Sequence, residues 1–183
     1  MTQFWNSLSP MVESIFNYTF ENRAVDETHP TWIEFDVEAL RHNLSIVRKS
    51  LTPGTQIIAS VKANAYGHGI IPVSQVLERE GVEMLATGSF SDAQAIRQAG
   101  VKTPILMLAG TLPGGMKNLV QEGFIPTIYD FIGARSAAAA AKGIKDDYQH
   151  PIFIKVDCGM GRLGISLSNT LPFLEEIKNM PNI

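Results

Sequence analysis

From residue 31 onward the chain alternates two kinds of apolar run. One is short and continuously apolar; the other is longer, with apolar positions three and four residues apart. The short runs predict strands at 56–61, 84–88, 104–108, 124–129 and 151–156. The longer ones predict helices at 71–80, 91–99, 112–122 and 132–142, with one more over about 168–179 before Pro181. Ser91-Asp92 offer a cap for the second of these helices and Gly100 a stop. The run 136–141 contains five alanines and predicts a close-packed helix rather than a linker. Ahead of this rhythm, residues 32–37 alternate apolar and polar like a half-buried strand. Asp36 then stands three residues before a helix over 39–49, closed by Thr52-Pro53-Gly54.

Continuously apolar strands are buried on both faces, and helical connections of this length require parallel pairing with right-handed crossovers. The predicted class is therefore α/β with a parallel sheet. Spacing alone leaves two architectures open, a doubly wound open sheet and a closed (β/α) barrel, because five units do not reach the eight a barrel needs. Residues 31–183 read as one domain without an internal boundary, and residues 1–30 as an N-terminal extension outside the repeat.

Composition narrows the partners. The chain has 183 residues, 45% hydrophobic and 18% charged, enough to bury a sizeable core. Its net charge of -3 is spread in small mixed groups, with no basic stripe for nucleic acid and no polybasic segment for a membrane surface. No apolar run approaches the roughly 20 residues of a membrane span, and the N-terminus lacks the basic and apolar regions of a secretory signal. The single cysteine, Cys158, excludes an intramolecular disulfide and offers no Cys/His spacing for zinc, so no metal is expected. A small molecule or another protein chain is the expected partner, and a reducing cytoplasm the expected location.

Two segments carry candidate chemistry. The first runs Val61-Lys62-Ala63-Asn64-Ala65-Tyr66-Gly67-His68-Gly69. It places a lysine at the C-terminal end of an apolar strand, the end at which parallel sheets bind ligands. Desolvation there would favour the neutral amine that condenses with an aldehyde. The glycines let backbone amides approach an anion, and Tyr66 offers a hydroxyl to a phosphate oxygen. Taken alone, a lysine after a strand is more commonly a side chain snorkelling to solvent, and a histidine between glycines more commonly a loop hydrogen-bonder than an acid or base.

The second segment, Lys155-Val156-Asp157-Cys158-Gly159-Met160-Gly161-Arg162-Leu163-Gly164, again runs off an apolar strand into a glycine-rich loop. Arg162 keeps its charge at every relevant pH and requires a counter-anion. Alternation along 152–156 turns Lys155 toward the interior, a costly place for an unpaired ammonium. On its own terms it reads more readily as a surface lysine at a strand end.

The string VKANAYGHG, residues 61–69, resembles the pyridoxal-phosphate attachment motif of alanine racemases. The loop from Lys155 to Gly164 is similar to that family's KxDTGMGRLG motif, with Cys158 where threonine is usual. The lead WIEFD with ALRHNL, and the stretch 89–100, are similar to its opening strand and helix and to its second crossover. The resemblance covers about residues 32–183. It implies a partial (β/α)8 barrel of the TIM type, comprising about the first five strand-helix units, without the remaining units and the C-terminal β domain. It further implies that Lys62 binds pyridoxal 5'-phosphate covalently and serves as one catalytic base. By the same resemblance Tyr66 contacts the cofactor phosphate, Arg162 bonds the phenolic oxygen, and Lys155 is carboxylated and orients Arg162.

Racemisation at an amino-acid α-carbon removes a proton from one face and delivers it to the other, so two bases are the simple solution. In the family the opposite base is a tyrosine of the β domain, supplied across a homodimer interface, and nothing in this sequence corresponds to it. The expected function is interconversion of L- and D-alanine, supplying D-alanine for peptidoglycan, with the chain as an N-terminal portion inactive alone. The alternatives are a non-catalytic cofactor-binding or structural remnant, or a relative acting on serine or other amino acids.

Overall fold

The computed structural model describes residues 33–183, which divide into two compact units, one ending at Ser50 and the other running from Leu51 to Ile183. The extension 1–30 lies outside the described residues.

In the first unit the described chain leads into helix α1 (Val37–Ser50). Asp36 starts it, its carboxylate accepting the Ala39 amide at 2.9 Å, an N-cap that satisfies a donor the helix cannot. Glu38 and Arg41 pair on its surface at 2.7 Å. The strand expected over 32–37 is not formed at residues 33–37, and Trp32 is outside the described residues. Alternation suits a strand only where a ladder receives its amides, and no described strand pairs with this segment.

The second unit comprises β1 (Ile58–Ser60), α2 (Lys62–Tyr66), α3 (Ile70–Arg79), β2 (Met84–Thr87), α4 (Phe90–Gln98), β3 (Ile105–Met107), α5 (Pro113–Gln121), β4 (Ile125–Ile128), α6 (Phe131–Lys142), β5 (Phe153–Ile154), β6 (Val156–Asp157), β7 (Ile165–Ser166) and α7 (Leu167–Ile177). Its main sheet is ordered β1-β2-β3-β4-β5 and is parallel throughout. Each strand pairs with its predecessor in the chain. A doubly wound sheet reverses its order at a switch point, and no such reversal occurs among these five strands.

Register sorts the strand residues into two faces. Ser60 lies beside Ala86, Ala86 beside Leu106, and Leu106 beside Ile125; Ala86, Leu106 and Ile125 form a buried layer with Met84 and Leu108 against it. On the other face Leu85 and Ile105 are neighbours and fully buried, as are Val61 and Phe124 at the ends of their strands. The interior strands are thus buried on both faces, whereas the flanking Ile58 and Phe153 are exposed. The helices bury stripes of matching period: Ile70, Val73, Val76 and Leu77 on α3, and Ala134, Ala137 and Ala141 on α6.

Two local expectations change. Helix α4 is capped by Ser89, whose hydroxyl accepts the Asp92 amide at 3.4 Å, not by Ser91-Asp92; Ser91 sits inside the first turn. Strand β7 was not expected at all. It pairs in parallel with β6, Val156 beside Ile165 and Asp157 beside Ser166, although only residues 158–164 separate them and parallel pairing ordinarily needs a dozen or more residues of crossover. The glycines of that loop make the tight return possible. A Cβ at Gly164, where φ is 141°, would stand 2.5 Å from the Asp157 nitrogen.

Candidate functional site

The strand β1 ladder extends to Val61, whose amide donates to Ala86 at 2.8 Å. The chain then enters a left-handed turn. Ala63, Asn64 and Ala65 have φ/ψ of 53/52°, 56/45° and 52/48°, and Tyr66 has φ of 55°. Four successive non-glycine residues in this region are rare, because Cβ crowds the following carbonyl. The turn is held by Ala65 donating to Val61 at 2.9 Å and by Gly67 and Gly69 donating to Asn64, both at 3.0 Å. The Asn64 side chain accepts the Ile70 amide at 2.8 Å.

This turn brings Lys62 and Tyr66 together. The lysine Nζ lies 5.7 Å from the tyrosine ring centroid, within range of the ring's negative face, and the tyrosine hydroxyl is 3.3 Å from Ser60 Oγ. Both side chains are exposed. The desolvation expected for Lys62 is therefore not provided by the described residues: β1 is the first strand of the sheet order, and its Ile58 and Ser60 face is open. His68 is exposed, its amide bonded to Ala65 at 3.1 Å.

The arginine loop is organised by Asp157. Its carboxylate accepts the Gly159 amide at 2.9 Å and the Gly161 amide at 3.1 Å. The Gly161 and Gly159 amides, with smaller help from those of Met160 and Arg162, hold this carboxyl below its usual range. Arg162 projects from the loop into solvent, and Cys158 is an exposed free thiol. Lys155 is half-buried at the splice between β5 and β6; its amide donates to Ile128 at 2.9 Å and its carbonyl accepts from Ile165 at 2.8 Å. It follows Phe153 by two residues, and Phe153 pairs with Thr127, so strand alternation assigns Lys155 to the face of Thr127 and Ile125.

Lys62 and Tyr66 thus lie together, whereas among the described residues no bond joins Lys155 to Arg162, or either of them to Lys62 or Tyr66. They share one edge, since every strand is parallel and both loops leave C-terminal ends. The β1 and β5 strands are separated by four strand steps of about 4.8 Å each. Sequence reasoning missed Asn64 and left Asp157 unassigned. The Asp-x-Gly spelling was the available signal for the second, since an Asx side chain bonds its own backbone two residues on; for Asn64 the signal was its tolerance of left-handed backbone.

Among the described residues there is no cluster of three metal-ligating side chains and no helix long and apolar enough to cross a membrane. The fold and these loops define a class: a sequentially wound parallel α/β protein with cationic side chains at the C-terminal ends of its strands. A family model, the N-terminal domain of alanine racemase, matches residues 35–183. The chain belongs to the alanine racemase family. It is 38% identical over 153 residues to an alanine racemase of Syntrophobacter fumaroxidans, covering 84% of this chain and 40% of that protein. With one of Desulforamulus reducens it shares 39% identity over 137 residues, covering 75% and 36%. The alanine racemase structure from Clostridium difficile 630 superposes with a TM-score of 0.80 at 29% identity, covering 86% of this chain and 41% of that one. A histidine racemase of Leuconostoc mesenteroides, at 21% identity and a TM-score of 0.70, shares the fold. The chain spans about two fifths of the length of the curated relatives it matches.

The donor set fits an anionic aldehyde such as pyridoxal 5'-phosphate. An exposed primary amine and a phenolic hydroxyl stand on one turn and an exposed guanidinium on the loop after β6, while the amides of Gly67, His68 and Gly69 are already engaged within the turn.

Proposed function

We propose that this chain provides the cofactor-binding part of a pyridoxal-phosphate-dependent alanine racemase, its sheet being an arc of an eight-stranded (β/α) barrel. The observation that carries the reading is the left-handed turn holding Lys62 and Tyr66 side by side at the C-terminal end of β1. When bound, the cofactor supplies an electron sink that stabilises negative charge at the amino-acid α-carbon.

The residues have separable tasks. Lys62 Nζ would hold the cofactor at its aldehyde and, as a free amine, would accept or return the proton at the α-carbon on its own side. Tyr66 Oη donates to a phosphate oxygen. Arg162 would donate to the phenolic oxygen and favour its anionic form. Lys155, carboxylated, presents a negative group that aligns the Arg162 guanidinium. In the complete protein the substrate is alanine, the product serves peptidoglycan synthesis in the cytoplasm, and the opposite-face base comes from a partner in a homodimer.

The test is covalent mapping. The chain is incubated with pyridoxal 5'-phosphate, reduced with borohydride and digested; the label is expected on the peptide containing Lys62, and Lys62→Arg is expected to lose it. A folded sample labelled on its other lysines but not on Lys62 would remove the assignment.

A further inference from the structure

The turn that carries Lys62 and Tyr66 is strained. Left-handed helical backbone is costly at every residue with a Cβ, and only asparagine and aspartate among side-chain-bearing residues adopt it readily, normally singly. Here Ala63, Asn64, Ala65 and Tyr66 adopt it in succession. Strain of this kind persists only where surrounding interactions over-determine it, and such places gather at functional sites.

Asn64 supplies those interactions. Its carbonyl accepts two amides, from Gly67 and Gly69, each at 3.0 Å. Its side-chain oxygen accepts the amide of Ile70 at 2.8 Å. Ile70 opens helix α3, whose own cap position is Gly69, a residue with no side chain to accept an orphan amide. The missing cap therefore comes from six residues upstream, out of the left-handed turn itself. Helix α3 is firmly anchored, with Ile70, Val73, Val76 and Leu77 buried. The bond ties the strained turn to a helix buried along one face, and Ala65, 3% exposed, fixes the turn's middle in the core.

We propose that Asn64 is the positioning residue of this turn. It holds the left-handed backbone against α3 and so fixes the separation and direction of the Lys62 amine and the Tyr66 hydroxyl. Within the cofactor reading, on which this inference rests, Asn64 makes one ligand with an aldehyde at one end and a phosphate at the other reach both groups at once. Without it Lys62 remains a competent amine, but its preference for a phosphorylated aldehyde over an unphosphorylated one declines.

The experiment compares pyridoxal 5'-phosphate with pyridoxal as the trapped aldehyde, read as borohydride-fixed label on Lys62 in the 183-residue chain and in Asn64→Asp, Asn64→Gly and Asn64→Ala. Aspartate keeps both the acceptor and the left-handed tolerance, glycine keeps only the tolerance, and alanine keeps neither. The phosphate preference is expected to persist in Asn64→Asp, to decline about fivefold in Asn64→Ala, the ratio that loss of one cap of ordinary strength implies, and to decline less in Asn64→Gly. A merely structural role would lower label from both aldehydes alike and leave their ratio unchanged.

If the alanine variant does not fold by circular dichroism, the aspartate and glycine variants decide the matter. Exchange protection of the Ile70 amide in the unaltered chain provides a reading that needs no variant. An unprotected Ile70 amide, or a glycine variant retaining the full preference, would overturn the assignment of Asn64. A chain unlabelled at Lys62 would instead remove the cofactor reading itself.

Discussion

His150 is 2% exposed, and both ring nitrogens have partners. Nε2 is 3.0 Å from the Phe124 carbonyl and Nδ1 is 3.2 Å from the Tyr148 hydroxyl. A carbonyl only accepts, so Nε2 carries the proton, and Nδ1 accepts from the tyrosine. Burial lowers the His150 pKa below the usual 6.5, with the Phe124 bond opposing the shift in part. In acid the unfolded chain takes up this proton before the folded one. The contribution of His150 is thus complete above 6.5 and is lost as pH falls below that value toward the folded pKa. Thermal midpoints measured across this range are expected to be flat on the alkaline side and to decline on the acid side, and His150→Gln is expected to remove this component of the slope. An unchanged slope in the variant would mean that other groups titrate there.

The same scale shows which residues a reader of sequence can find. Lys62, Tyr66, Arg162 and Lys155 stand out because each is a chemically distinctive side chain inside a glycine-punctuated string. Asn64, Asp157 and His150 act through backbone amides and carbonyls. Their partners are set by dihedral angles that no spacing rule displays. Exposure of Lys62 was equally invisible, since it depends on what covers β1 rather than on any neighbour in the chain.

At the scale of elements, α6 shows what low complexity conceals. Ala134, Ala137 and Ala141 are fully buried while Ala139 is exposed, and the helix packs against α5 and β4. The alanines allow close approach, so added volume on the buried face has nowhere to go. Ala137→Leu is expected to destabilise by about 1–3 kcal/mol through overpacking, whereas Ala139→Leu is expected to stay within about 0.5 kcal/mol of the parent. Urea denaturation monitored by circular dichroism separates the two. Equal stability of both variants would show that the interface yields.

The longer helices and the strands from β1 to β4 were legible to within a few residues because burial imposes a period on each. The left-handed α2, read as loop, and the break that divides 151–156 into β5 and β6 were not, nor were two other segments. Residues 33–37 have the alternation of a strand but no ladder partner among the described strands, and β7 has too few residues to show any period. It exists because Gly159, Gly161 and Gly164 let residues 158–164 fold back tightly. Alternation likewise revealed a parallel sheet but not its winding, which is a matter of which strand neighbours which.

At the largest scale the second unit leaves apolar surface uncovered. Leu167, Leu171 and Leu174 are exposed along α7. A groove of about 390 Å³ is lined by Leu171 and Leu174 together with Ile152, Ile154 and Ile177. Exposed Ile58 and Phe153 mark the first and last strands of the sheet. Open strand edges beside apolar patches promote association between chains. The purified chain is expected to self-associate as concentration rises, and the double variant Leu167→Lys, Leu171→Glu to do so less without a lower thermal midpoint. Sedimentation velocity reads the first effect; a profile independent of concentration for the parent chain would contradict it.

Sequential winding has a further consequence for biosynthesis. Because each strand of the main sheet is paired to the one translated just before it, a ribosome releases the pieces in the order in which they can zip together, and no finished segment must wait for a distant mate. The turn carrying Lys62 emerges before the loop carrying Arg162. During synthesis the Lys62 amine is therefore in place on the nascent sheet before the Arg162 guanidinium arrives.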